Sequence, residues 1–145
     1  MTLHLVKLCV GVDTVEDLQG WIEFRLEEKR RAGQTPEHFH TTRMMPRRGD
    51  ELLDGGSLYW VIRGKVQVRQ QLLEIRPFRD KDGIKRCHLV LEPRLVLTRW
   101  QPRRAFQGWR YLGQKDAPRD LSGDTARIAA LPAKMRRELA ELGLL

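Results

Sequence analysis

The stretch LYWVIRGKVQVRQQLLEIRPFRDKDGIKRCHLVLEPRLVLTRW, Leu58 to Trp100, decides the fold. Apolar and polar side chains alternate through much of it, the two-residue period of half-buried strands. Leu58 to Ile62 is a short buried run, interrupted by Gly64, after which Val66 and Val68 alternate with Lys65, Gln67 and Arg69. The apolar positions then change parity to Leu73 and Ile75 after Gln70-Gln71. A one-residue phase change of this kind is what a bulge or a strand break produces. Asp80-Lys81-Asp82-Gly83 reads as a hairpin turn, because Asp-Gly supplies residues that tolerate positive φ. The return strand runs from Ile84 to Glu92, Pro93 bends it, and Leu95 to Trp100 continues. Bends at Gly64, Gln70-Gln71 and Pro93 would let such a sheet curl.

Upstream, Leu3 to Val10 reads as a strand with apolar residues on both faces, the mark of a strand inside a sheet. Thr14 and Asp17 then resemble a capping box. Val15, Leu18, Trp21, Ile22, Leu26 and Lys29 follow at helical spacing, which predicts a helix over residues 15–32 stopped by Gly33. Phe39 to Met45 is expected to be a strand ended by Pro46, with one helical turn through Leu53 and a stop at Gly55-Gly56. Downstream, Phe106 to Leu112 has no readable period, residues 113–123 look like loop, and Pro132 to Leu142 forms a closing helix. The expected fold is therefore one α+β domain over residues 1–145. It has a mostly antiparallel, curled sheet of five or six strands, a half-open barrel, with helices segregated to the two ends.

Composition narrows the classes without choosing among them. The chain has 145 residues, 41% hydrophobic and 32% charged, which fits neither a disordered tail nor a membrane protein. Leu89-Val90-Leu91 and Leu95-Val96-Leu97 fall far short of the roughly 20 apolar residues of a membrane-spanning helix. No secretory signal is readable. Two cysteines, Cys9 and Cys87, make neither a disulfide framework nor a zinc motif. A cytoplasmic protein without membrane contact or cofactor is the expectation. The anomaly is charge: a net of +8 carried entirely by residues 37–121, with 20 arginines among the 27 basic residues. Arginine's planar fork suits phosphate and carboxylate partners, although a GC-rich genome also writes arginine freely.

LHLVKLCVG (Leu3 to Gly11), HTTRMMPRR (His40 to Arg48), DELLDGGSLYWVIRG (Asp50 to Gly64), RRAFQGWRYL (Arg103 to Leu112) and DAPRDL (Asp116 to Leu121) together resemble an uncharacterised family of small proteobacterial proteins. The likeness covers nearly the whole chain and implies no catalytic residues, because that family has no established activity. In outline, a helix followed by a curled sheet with a strand–Gly–Lys step at Ile62 to Lys65 is similar to PUA-like RNA-binding domains. Fold analogy alone carries no function.

Three site readings follow from the residues. His40 and Thr42, two apart on a strand, would point to one side. This resembles half of a two-histidine phosphoesterase site, but the only later histidine, His88, precedes Leu89 and Val90 and lacks the second hydroxyl. A small phosphate-handling enzyme around His40, Thr42 and His88 is thus the alternative reading. Glu37, His38 and His40 could offer metal ligands on a strand, yet zinc sites usually need three or four with diagnostic spacing, and no metal is expected. The favoured reading is a non-enzymatic RNA-binding domain. Arg43, Arg47, Arg48, Arg103, Arg104 and Arg110 would neutralise phosphates, and Trp109 would offer a stacking surface beside them. Arg47, Arg48, Arg103, Arg104 and Arg110 are expected largely on one face with the Trp109 ring at least partly accessible, whereas Trp21 and Trp60, within apolar runs, are expected in the core. A basic face that meets an acidic protein partner is the third reading.

Overall fold

The computed structural model describes residues 2–121. The helix expected over residues 132–142 lies outside them. The elements run β1 (Leu3–Leu8), α1 (Val15–Arg31), β2 (His38–Thr42), α2 (Gly49–Leu52), β3 (Ser57–Ile62), β4 (Lys65–Arg79), β5 (Lys85–Leu91), β6 (Val96–Pro102) and β7 (Trp109–Gly113). Seven strands form one unclosed sheet in the order β2-β5-β4-β3-β1-β7, with β6 also paired to β4. The α+β class with a curled, mostly antiparallel sheet is as expected; the strand number is one or two higher.

The additional strand is β7, in the aromatic segment whose period was unreadable. It lies antiparallel to β1, with Leu3 opposite Gly113 and Lys7 opposite Trp109. On its other edge β1 pairs with β3 in parallel, Leu5 opposite Leu58, the sheet's one parallel ladder among the described residues. Flanked on both edges, β1 buries both faces. Leu3 and Leu5 join one core with Val15, Leu18, Ile22 and Leu26 of α1, while Val6 joins Tyr59, Val61, Val66 and Leu112 on the opposite side.

Helix α1 starts and stops where the sequence implied. The Thr14 hydroxyl accepts from the Asp17 backbone N–H at 3.0 Å, and the Asp17 carboxylate accepts from the Asp13 N–H at 3.2 Å. At the other end Gly33, at φ 71°, donates to the Arg30 carbonyl and Gln34 donates to that of Lys29. Those two bonds make the paired closure that a left-handed glycine permits.

The 15-residue strand β4 is the spine. Its first half pairs with β3 through the two-residue turn Arg63-Gly64, both at positive φ. Leu72 to Arg79 pairs with β5, and Lys65 to Arg69 with β6, so β5 and β6 succeed one another along it, interrupted at Pro93. Gly64 is thus a turn and not a bulge. The register shifts fall at Gln67, opposite the Trp60–Val61 step, and at Leu73, and Gln70-Gln71 lies in regular ladder between them. The parity change follows from the second of these shifts: Val68 and Leu72 lie in the main core before Leu73, and Ile75 packs against the same core after it, as a bulge produces. Gln70 is fully buried, accepts from Trp60 Nε1 at 2.8 Å and donates to the Glu92 carbonyl at 2.9 Å. Buried amides with satisfied partners occupy positions that pattern assigns to apolar residues.

Gly56 sits where α2 meets β1. A Cβ there would lie 2.2 Å from the Leu52 carbonyl oxygen and 2.3 Å from that of Leu3, so neither backbone can yield cheaply. Gly20, mid-helix and exposed, has nothing within 4 Å of an added Cβ. Urea unfolding should therefore show Gly56→Ala losing more than about 3 kcal/mol and Gly20→Ala gaining about 0.5–1 kcal/mol. Equal effects at the two sites would contradict the packing at Gly56.

Candidate functional site

The sheet curls until its two end strands, β2 and β7, face each other across a seam. No ladder joins them. Side chains do. Trp109 Nε1 donates to the Met44 carbonyl at 2.7 Å, and the Tyr111 hydroxyl accepts from the backbone N–H groups of Arg47 and Arg48 at 3.0 and 3.2 Å. Trp109 is only 6% exposed, so the ring expected to be accessible for stacking is a core residue that latches the seam. Tyr111, two residues on, is the exposed aromatic, with the Arg48 guanidinium 5.5 Å from its ring centre.

A shallow cleft of about 490 Å³ follows the seam, lined by Lys7, Arg43 and Arg110 among others. No carboxylate lines it, and no ion pair among the described residues engages these three cations. Arg47 sits exposed on the loop above, whereas Arg48 is paired with Glu51 at 2.5 Å. Arg103 and Arg104 line a different depression with Lys115 and Asp116. The candidate arginines therefore divide into a seam group and a separate pair.

The phosphoesterase geometry does not assemble. His40 lies opposite Leu89 and His88 opposite Thr41 in the β2–β5 ladder, so the two histidines point to opposite faces. His88 Nδ1 lies 3.1 Å from the Thr41 hydroxyl, and its ring packs against Phe39 and Phe78, each centre 4.1 Å away. Thr42 is buried; its hydroxyl donates to the Met44 carbonyl at 3.1 Å and lies 3.1 Å from Cys87 Sγ. With that hydroxyl engaged and His88 turned away, His40 has neither partner that acid–base chemistry on a phosphate would need. Glu37, His38 and His40 are not gathered as a ligand set either. Glu37 is held by Arg76 in a two-pronged ion pair at 2.6 and 2.7 Å, and no cluster of three ligands occurs among the described residues.

His40 instead lines a second cavity, about 490 Å³, between the first half of α1 and the ends of β1 and β2. Its ring meets Trp60 edge to face at 5.1 Å, and its Nε2 is buried without a hydrogen-bond partner. Burial, aided by the nearby Lys7 charge, pushes the imidazole down to about 4. Burial does the same to His38, also to about 4, with the charges of Arg25 and Lys29 contributing. Cys9, on the same wall, is pushed up to about 12 by burial and stays a thiol. Trp21, expected in the core, is 51% exposed at the rim. Periodicity grouped it with the buried stripe, but only Val15, Leu18, Ile22 and Leu26 face the sheet. No motif announces this cavity, because residues 7–12, 17–25 and 38–40 meet only once the sheet curls.

A family model described as "Protein of unknown function (DUF1489)" matches residues 5–145. The chain belongs to the DUF1489 family. The whole-chain resemblance read from the sequence is thus to a family of unknown function, as expected. No curated protein and no solved structure matches this DUF1489 chain, so nothing supports the PUA-like outline.

Two outcomes follow for the DUF1489 fold. Trp109→Ala should lower stability by about 3–5 kcal/mol in urea unfolding. Trp109→Phe, which keeps a ring but loses the bond to Met44, should cost about 1–2 kcal/mol. The buried histidines set a pH dependence. With the folded values of His38 and His40 near 4 and the ordinary value 6.5, the unfolded chain takes up protons before the folded one does. Stability is full above about pH 6.5 and falls as pH drops from there towards 4. Thermal melts should show that decline, and a His38→Asn/His40→Asn double variant should reduce it, leaving the part set by His4, whose imidazole is also pushed down by burial. A wild-type melting temperature constant across the window would contradict the burial.

Proposed function

We propose that this protein is a non-enzymatic RNA-binding domain whose contact surface is the seam between β2 and β7. The observation that carries the reading is the seam cleft itself, lined by Lys7, Arg43 and Arg110 with no carboxylate in its lining and no ion pair to these three among the described residues. A backbone of repeating phosphates is the natural complement of such a row, since each neutralised phosphate releases counterions. Arg47 extends the positive edge, and the exposed Tyr111 offers a flat face for an unstacked base. Supporting this further, the central region carries the chain's whole excess of positive charge. Arg103 and Arg104 lie outside the seam cleft and are assigned a lesser part, because they share their depression with Asp116. The membrane plays no part in this reading; no described helix is long and apolar enough to cross one.

Fluorescence anisotropy with a labelled single-stranded RNA tests it. Three phosphate contacts should give a log–log salt slope near −2, from about −0.7 per contact. Replacing Arg43 and Arg110 by alanine should reduce the slope by about 1.4 and weaken all sequences alike, whereas Arg103→Ala/Arg104→Ala should change it by less than about 0.7. Tyr111→Ala should weaken binding by about 1–3 kcal/mol without altering the slope. No detectable binding at low salt would overturn the reading and leave the seam to an acidic protein surface.

A further inference from the structure

The cavity beneath α1 is separate from the RNA reading in chemistry and in most of its residues. Its walls are apolar: Leu18, Phe39 and Trp60 line it. Its volume of about 490 Å³ falls within the range of about 300–1,000 Å³ typical of small-molecule sites. Its rim is apolar as well, with Trp21 and Val10 exposed by 51% and 85%. Large apolar side chains left in water around a concave mouth mark a binding surface more often than scattered exposure does.

The charged groups are two cations and one carboxylate. Lys7 and Arg25 both line the cavity, and neither forms an ion pair among the described residues. Arg25 rests over the Trp21 ring at 5.3 Å, which holds its guanidinium at the rim. The one lining carboxylate, Asp17, is already engaged, capping α1 by accepting from the Asp13 N–H. His40 adds a buried, unpartnered ring nitrogen, able to donate or accept according to its tautomer. A cationic ligand would meet two like charges. A sugar or nucleoside would bring more hydroxyls than these walls can satisfy. What complements the cavity is an apolar body that carries a single negative head.

We propose that the cavity between α1, β1 and β2 is a binding site for a small apolar carboxylate, its body against Leu18 and Trp60 and its head held by Arg25 and Lys7. No covalent step is involved. The thiol of Cys9 and the imidazole of His40 serve as wall and hydrogen-bond partner.

The test uses the full chain and the probe 1-anilinonaphthalene-8-sulfonate, an apolar fluorescent anion, displaced by decanoate below its micellar concentration. Saturable one-to-one displacement is expected, with decanol at least tenfold weaker and decylamine without effect. Arg25→Ala, at an exposed residue that does not line the seam cleft, should weaken decanoate about tenfold and leave decanol unchanged. Leu18→Trp, which fills the cavity, should abolish probe binding; Trp21→Ala, on the exposed rim, should weaken it several-fold and guards against misfolding of the first. Circular dichroism establishes that each variant is folded. Decanoate and decanol displacing equally well, or Arg25→Ala leaving decanoate unchanged, would overturn the proposal. So would sedimentation with anionic phospholipid vesicles without binding of monomeric decanoate, which would make the rim a membrane contact. Since Arg25 is absent from the seam, failure here leaves the RNA reading standing, and the reverse holds too.

Discussion

The carbonyl oxygen of Met44 is the point on which the molecule closes. It accepts from Trp109 Nε1 and from the Thr42 hydroxyl, with Cys87 Sγ 3.8 Å away, and so joins β7, β2 and β5 through three side chains. Beside it the Tyr111 hydroxyl takes two backbone N–H groups of the same loop. An unclosed sheet leaves its end strands with unpaired backbone groups, a standing hazard for self-association. Here the two ends are drawn together by side-chain bonds, each worth about 1 kcal/mol net, and the tryptophan is buried in the process. Both concave surfaces depend on that closure. The basic cleft follows the seam itself, and the apolar cavity needs β1 and β2 brought face to face under α1.

Local chemistry was legible in the sequence wherever a single residue decides it. Thr14 and Gly33 bound α1 within one residue, and Asp80 to Gly83 makes the β4–β5 turn, with the Asp80 carboxylate accepting from the Asp82 and Ile84 N–H groups. The interior of β4 was harder, because Gln67 and Gln70 are buried and bonded, the former donating to the Ile62 carbonyl. Strand β7 was unreadable for a related reason. Trp109 and Leu112 are buried while Arg110 and Tyr111 between them are exposed, so no alternation is visible.

The site was legible only as residue types. His40 and Thr42 do share a face, yet the sequence carries no measure of depth, and depth separates a reactive pair from a bonded core threonine and a desolvated imidazole. The arginines were visible as a cluster in number and not in space. Glu51 and Glu37 show why: nearby carboxylates already occupy Arg48 and Arg76, and only the structure tells engaged cations from unengaged ones. The apolar cavity is assembled from three distant segments, each of which reads as ordinary helix or strand.

The arrangement around β4 bears on how such a chain finds its structure. Residues 57–102 hold a meander, β3–β4–β5, whose ladders join strands adjacent in the chain, and β6 returns past β5 to pair with β4, so these contacts form at comparatively small loop-closure cost. The remaining ladders span far more: Leu5 meets Leu58, Phe39 meets Val90, and Leu3 meets Gly113, nearly the whole described length away. Long-range pairings of this kind slow folding, because chain entropy is lost before contacts compensate it. The meander is thus the natural nucleus, with β1 and β2 docking on it and β7 arriving last. On a ribosome that order has a physical meaning: the first strand emerges early but cannot complete its ladder until residue 113 has been made.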